Sequence, residues 1–272
     1  MNQKLYNFLI FLSLFFLLVY STYSFETLIF KPLTANHLES RVGAFYQPNN
    51  EHLRLDIGHS LDLMEVMDNE NCELRVGGDF FILSRLRSEG RFKFPVETSD
   101  FFFGLNLSGN VFNDYSFRMR IAHISSHLVD GYTINNDFIQ EPFVYSREFV
   151  DLIVAYNTKY IRPYIGGTAI FSTIPKNVGR FVPQFGFDFK YPLLSNYLDL
   201  IGGYDFKLLK TNKEIDFIGS NSAQVGLMYN LSEYTGLSFN FYHYSGNSIH
   251  GMFYNTKERY MGYGIQFNYG LK

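Results

Sequence analysis

Tryptophan is absent and cysteine occurs once, as Cys72, in a chain of 272 residues. A lone cysteine excludes a disulfide-held scaffold. Charge is scarce as well. Asp, Glu, Lys and Arg make up 18% of the chain, below the roughly 25% of ordinary soluble domains. What charge there is nearly balances, 23 Lys and Arg against 26 Asp and Glu. That leaves no basic face for nucleic acid, and no nucleic-acid partner is expected. Beyond the first 24 residues no stretch offers about 18 consecutive apolar residues, so no later helix is expected to span a membrane. What is abundant is aromatic: 30 Phe and 21 Tyr, 19% of the chain with a hydrophobic share of 46%. Such a chain has enough apolar surface to bury and is not disordered.

Residues 1–24 read as a secretory signal peptide. Lys4 supplies a positive start, Phe8 to Tyr20 is a 13-residue apolar run, and the small residues Thr22 and Ser24 precede a cut before Phe25. The run is short for a spanning helix. The mature chain, 25–272, then carries 22 positive and 26 negative groups. It is expected to form one domain, without linkers or repeats.

The remaining sequence has a period of two. From Arg180 to Tyr191, Phe181, Pro183, Phe185, Phe187, Phe189 and Tyr191 alternate with Arg180, Val182, Gln184, Gly186, Asp188 and Lys190. Residues at i and i+2 share a face of a strand, so one face is apolar and the other polar. The same alternation runs through Leu74–Ile82, Phe117–Ile121, Ala223–Leu231 and Met261–Tyr269. A soluble sandwich would turn the apolar face to its core. An outer-membrane barrel would turn it to lipid. Three features favour the barrel. The strands are about 10–13 residues long, as a tilted membrane strand requires. Tyrosines such as Tyr115, Tyr145, Tyr156, Tyr160, Tyr191, Tyr197, Tyr229 and Tyr269 gather at strand ends, as interfacial girdles do. Short turns near 157–159, 192–196 and 231–235 interleave with longer loops near 128–144, 172–179, 210–218 and 247–256, the pattern of periplasmic turns and external loops. The expected fold is an all-β transmembrane antiparallel barrel of about twelve strands, or ten with an N-terminal segment, the strands at 41–47 and 52–60 being short. Pro163 and Pro183 interrupt strand ladders, and bulges are the expected accommodation.

The last strand carries Gly264-Ile-Gln-Phe267-Asn-Tyr269, which resembles the closing-strand signal read by barrel-assembly machinery, although here three residues follow it. Outer-membrane lipid and that machinery are the expected partners. The oligomeric state stays open. No cofactor and no metal are expected. The lumen face gathers charges of both signs: Arg118, Arg120, Arg147, Asp151, Arg162 and Asp188, with Glu73, Arg75, Asp79, Lys190, Asp205 and Lys207. Mixed signs fit an interior that pairs its own charges better than a one-signed selective pore.

The run Arg118-Met-Arg120-Ile-Ala-His123-Ile-Ser125-Ser126-His127-Leu128-Val-Asp130-Gly-Tyr132 resembles the arginine-rich strand and His-x-Ser-Ser-His-Leu-x-Asp loop of DUF1207, an uncharacterised family of bacterial outer-membrane proteins. Tyr145-Ser-Arg147-Glu148, Gly78-Asp-Phe-Phe81 and Gly246-Asn-Ser-Ile-His250-Gly-Met-Phe253-Tyr254 are similar to it too, the likeness spanning roughly 30–270. Gly131 stands where the family usually has an acid, and Ile249 where a proline is common. The resemblance implies an outer-membrane barrel and no particular activity.

Two His-x-Ser pairs lie at external strand ends, His123/Ser125 and His243/Ser245. If alternation holds, both continue apolar, lipid-facing rows. That arrangement is similar to the His-x-Ser dyads of outer-membrane phospholipases and lipid A deacylases. The histidine would be the general base and the serine the nucleophile, with Asp130, Asn247 or Glu258 orienting the ring. A rim bulge would turn the side chains inward instead. His123, His127 and Asp130 would then anchor the loop, together with Ser126 and Tyr132. A metal site from the same three residues would need the i, i+4 histidines on a helix, and they sit at a strand end. The function expected from sequence is a non-enzymatic outer-membrane barrel, structural or a narrow conduit. An outer-leaflet lipid acyl hydrolase and a surface module binding through the 128–144 and 247–256 loops are the alternatives.

Overall fold

The computed structural model describes residues 27–112, 114–134, 137–138, 140–176, 178–195, 197–210 and 217–270. The expected signal peptide lies outside them. Among them are fourteen strands: β1 (Val42–Gln47), β2 (His52–Asn69), β3 (Cys72–Arg87), β4 (Val96–Val111), β5 (Tyr115–Leu128), β6 (Thr133–Ile134), β7 (Asp137–Phe138), β8 (Tyr145–Tyr156), β9 (Ile161–Ile174), β10 (Phe181–Leu194), β11 (Leu198–Leu209), β12 (Ile218–Asn230), β13 (Thr235–Asn247) and β14 (Lys257–Tyr269). Strands β6 and β7 form a small hairpin in a loop. The other twelve close into an antiparallel barrel, β1 meeting β14. Twelve strands, not ten, therefore make the wall. The weak-looking second strand extends nine residues beyond the expected 52–60, to a tight turn at 70–71.

Connections at the end holding the chain's last strand residue have two to four residues, whereas those at the other end reach sixteen. By the outer-membrane rule the first end is periplasmic and the second external. The aromatic girdle follows the periplasmic rim, where Tyr115 packs 5.1 Å from Tyr156 and Tyr160 lies 5.0 Å from Tyr191, all exposed. Two expected girdle members differ. Tyr145 is buried inside the external end, and the Tyr269 hydroxyl is hydrogen-bonded to Ser40 and Ser60.

The two prolines need no bulge, contrary to the sequence expectation. Both pair in an unbroken β9–β10 register, Pro163 with Phe187 and Pro183 with Gly167. Pro163 lies one residue past the last β8 pair, and Pro183 one residue past the last β11 pair. A missing N–H costs little where the ladder on that side has ended. The bulges fall elsewhere, in β2–β3, β3–β4, β8–β9 and β10–β11.

Outward residues along the wall are large and apolar: Ile57, Leu105, Ile121, Ile165, Phe241 and Met261 are each more than half exposed. A contiguous band of this kind has no stable place in water, and a closed barrel crosses a bilayer with every ladder bond satisfied. No described helix is long and apolar enough to cross.

The lumen is filled from both ends. Residues 27–41 enter from the periplasmic side, with Phe30, Leu33, Asn36 and Glu39 buried. Arg118 clamps the Glu39 carboxylate through two bonds of 2.7 and 2.6 Å. Arg120 forks onto Asp151 and also donates to the Leu38 carbonyl. Arg162 binds Asp188 at 2.6 Å and the Lys31 carbonyl at 3.1 Å. Buried guanidiniums are tolerated because each finds a carboxylate, and Arg120 and Arg162 a backbone carbonyl as well. The inserted segment was not legible from alternation. Toward the external end an apolar cluster takes over, with Phe81 stacked 4.2 Å from Phe102. Gly58 permits this packing, since a Cβ there would stand 2.1 Å from that of Phe81. The 248–256 loop folds down onto the cluster, Met252 and Phe253 buried in it. Arg147, another expected lumen charge, covers the Tyr145 ring at 4.9 Å.

Candidate active site on the outer wall

Strand β5 carries one chemistry on each face. Arg118, Arg120 and Ser126 point inward and are buried. His123, Ser125 and His127 continue the outward row of Phe117, Met119 and Ile121. Its register with β4 and β8 runs without a bulge, so nothing rotates His123 into the lumen. On β8, Glu148 stands opposite His123 and Ser146 opposite Ser125. The His123 Nδ1 lies 2.9 Å from the Glu148 Oε1. Ser146 donates to the same oxygen at 2.7 Å, and Ser172 stands opposite Glu148 on β9. Ser172 faces outward beside Phe171 because the β8–β9 register shifts at Glu148/Phe149. A carboxylate holding Nδ1–H leaves Nε2 with its lone pair, the form a general base requires.

The second pair lacks this support. His243 faces Met261 on β14 and Ala223 on β12, and Ser245 faces Arg259 and Asn221. Among the described residues no carboxylate hydrogen-bonds His243. The orienters expected from sequence are elsewhere. Asn247 is buried and donates to the Tyr254 carbonyl at 3.0 Å. Glu258 binds Arg85 at 3.4 Å. Asp130 lies exposed in the loop, where its carbonyl accepts from Thr133. Glu148 was therefore missed as an orienter. One sequence signal pointed to it: β8 alternation aligns it with the lipid-facing Val150, Leu152 and Val154, where a charge is costly and marks function.

The expected loop anchor of His123, His127 and Asp130 does not form either. His127 faces outward, edge-on to Phe101 at 5.8 Å. The loop is pinned from inside instead. Ser126 accepts the Met252 N–H at 3.1 Å, and Asp100 holds the His250 ring and the Gly251 N–H, each at 2.7 Å. Tyr132 packs edge-on against Phe253 at 5.2 Å. The 248–256 loop is thus a buried cork rather than an exposed arm. Among the described residues no three His, Cys, Asp or Glu side chains converge to hold a metal ion.

Below the histidine the outer wall is dented by a groove of about 710 Å³. Its external rim is the cross-strand row His59, Phe80, Phe103, His123, Glu148, and its far side holds Leu61, Leu105 and Ile121. Gly78 points outward between Leu61 and Leu105 and adds no side chain.

A family model described as a protein of unknown function, DUF1207, matches residues 78–269. The chain belongs to the DUF1207 family. The matched span opens inside β3, so the inserted segment, β1 and β2 precede it. No curated protein matches the sequence. Among solved structures, the barrel is similar to the outer membrane phospholipase A of Escherichia coli, with a TM-score of 0.55 and 13% identity over 85% of this chain and 93% of that one. The calcium-bound dimer of the Salmonella typhi outer membrane phospholipase gives 0.55 and 13%, over 89% and 94%. An active-site Asn-to-Ala variant of the Escherichia coli enzyme gives 0.52 and 14%, over 89% and 93%. At such identities the likeness is one of fold. That fold and the apolar outer wall make this DUF1207 member an outer-membrane β-barrel.

Proposed function

We propose that this DUF1207 barrel hydrolyses an acyl ester of a membrane lipid at its outer leaflet, through Ser125, His123 and Glu148. One observation carries the reading: His123 Nδ1 is held 2.9 Å from Glu148 on the lipid-facing wall, with Ser125 two residues on along the same face. A bilayer-facing His–carboxylate pair is expensive unless it does something, and a lipid-cleaving site must face lipid. Three of the similar solved structures are phospholipases, one of them an active-site Asn-to-Ala variant.

Each group has a definite part. The Ser125 Oγ attacks the acyl carbonyl while its proton passes to His123 Nε2. The ester C–O bond breaks, and the departing alcohol takes that proton. Water then attacks the acyl-serine with His123 again the base, releasing the fatty acid and restoring Ser125. Glu148 holds the ring's tautomer and stabilises the imidazolium. Ser126 is excluded as the nucleophile because it is buried and accepts a bond from the loop. The corked lumen gives the conduit reading little support.

The purified barrel in mixed micelles of detergent and phospholipid or lipid A should release fatty acid, and Ser125→Ala should abolish the release while Ser126→Ala and Ser245→Ala retain it. No release from either lipid by the wild-type barrel would end the hydrolase reading.

A further inference from the structure

We propose that the groove beside His123 seats one extended acyl chain of the substrate lipid, with Gly78 setting its depth, so that long straight chains are selected. The proposal rests on the hydrolase reading for its substrate and on geometry for its seat. The groove opens on the wall that acyl chains already solvate, and one end reaches the pair that would meet the ester. Its rim is aromatic and continuous: Phe80 and Phe103 are 5.3 Å apart, and Phe103 and His123 6.3 Å. From β5 to β2 it crosses three inter-strand spacings, about 14 Å, which about eleven extended methylenes cover.

Gly78 decides whether this dent exists. A Cβ at Gly78 would meet only the Gly104 carbonyl, at 3.5 Å, an ordinary contact. A larger side chain therefore enters the groove without disturbing the wall. The other outward neighbours are Leu61, Leu105 and Ile121, and of the polar residues in the lining Asp79 is buried while the His59 ring bonds the Ser60 carbonyl.

The absence of tryptophan allows a binding test independent of turnover. A single tryptophan is placed at the rim by Phe80→Trp, or on β12 across the barrel by Leu227→Trp. Phosphatidylcholine with brominated chains is added below one equivalent in detergent. Quenching should be several-fold stronger at the rim, and Gly78→Leu should remove the difference. Equal quenching at the two positions overturns the proposal. In turnover, Gly78→Leu should cut cleavage of an eighteen-carbon ester about tenfold and leave a six-carbon ester unchanged. An equal fall with both esters overturns it. Preferential quenching without any hydrolysis would leave the groove standing and remove the enzymatic reading.

Discussion

The chain holds two copies of one short pattern, His-x-Ser at an outward external strand end, and the barrel treats them differently. At His123 the next strand offers Glu148; at His243 it offers Met261. Beside His123 lies a groove floored by Gly78, whereas Phe239 and Phe241 fill the same face of β13, edge-on at 5.2 Å. Chemistry in a barrel wall is thus decided across the hydrogen-bond ladder. A side chain two residues along the strand is a neighbour, and so is the residue directly opposite.

The largest effect should come from removing the nucleophile of the first copy. Ser125→Ala is expected to lower fatty-acid release about a thousandfold or more, and Ser245→Ala to leave it within twofold. Equal losses would erase the distinction between the copies. A sharper control removes a lumen charge that neither copy touches. Glu39→Ala leaves the buried Arg118 without its carboxylate and should cost about 3–5 kcal/mol in detergent-based unfolding, with release per folded barrel unchanged. A parallel loss of specific activity would mean that the inserted segment shapes the site.

Glu148→Ala should be milder than loss of Ser125, about a hundredfold in kcat, because the ring survives but loses its orientation and charge partner. Glu148→Gln should recover part of that rate, since its amide oxygen still accepts from Nδ1–H. If Glu148→Ala equals wild type, the carboxylate is decoration at headgroup level and the two copies are equivalent.

Much of the barrel was legible because alternation and connection length are local. Phe181 to Tyr191 shows its two faces in sequence, and the face of His123 follows from Phe117, Met119 and Ile121 by counting in twos. What escaped was set at long range. Residues 27–41 have no period, and their place follows from bonds such as Arg118–Glu39, 79 positions apart. The His250–Asp100 pin joins positions 150 apart. Glu148 escaped because pairing it with His123 requires the β5–β8 register, which skips a sixteen-residue loop holding its own hairpin. The expected Asp130, Asn247 and Glu258 were closer in sequence to a histidine, but the structure gives Asn247 and Glu258 other partners and leaves Asp130 exposed in the loop.

The smallest predicted effect asks whether the missing carboxylate alone would keep the second copy from acting under the proposed reading. Met261 faces His243 as Glu148 faces His123, so Met261→Glu rebuilds the pair on β13–β14. The added carboxylate lies on the lipid face, where an acid costs less than the roughly 2–4 kcal/mol of a mid-bilayer Lys or Arg, and the barrel should still fold. In a Ser125→Ala background, Met261→Glu should restore only a trace of release, because Phe239 and Phe241 fill the face beside His243 where a chain would lie. Addition of Ser245→Ala should remove that trace. Restoration to near the wild-type rate would show that the His–carboxylate pair suffices and that the groove beside His123 contributes little to turnover.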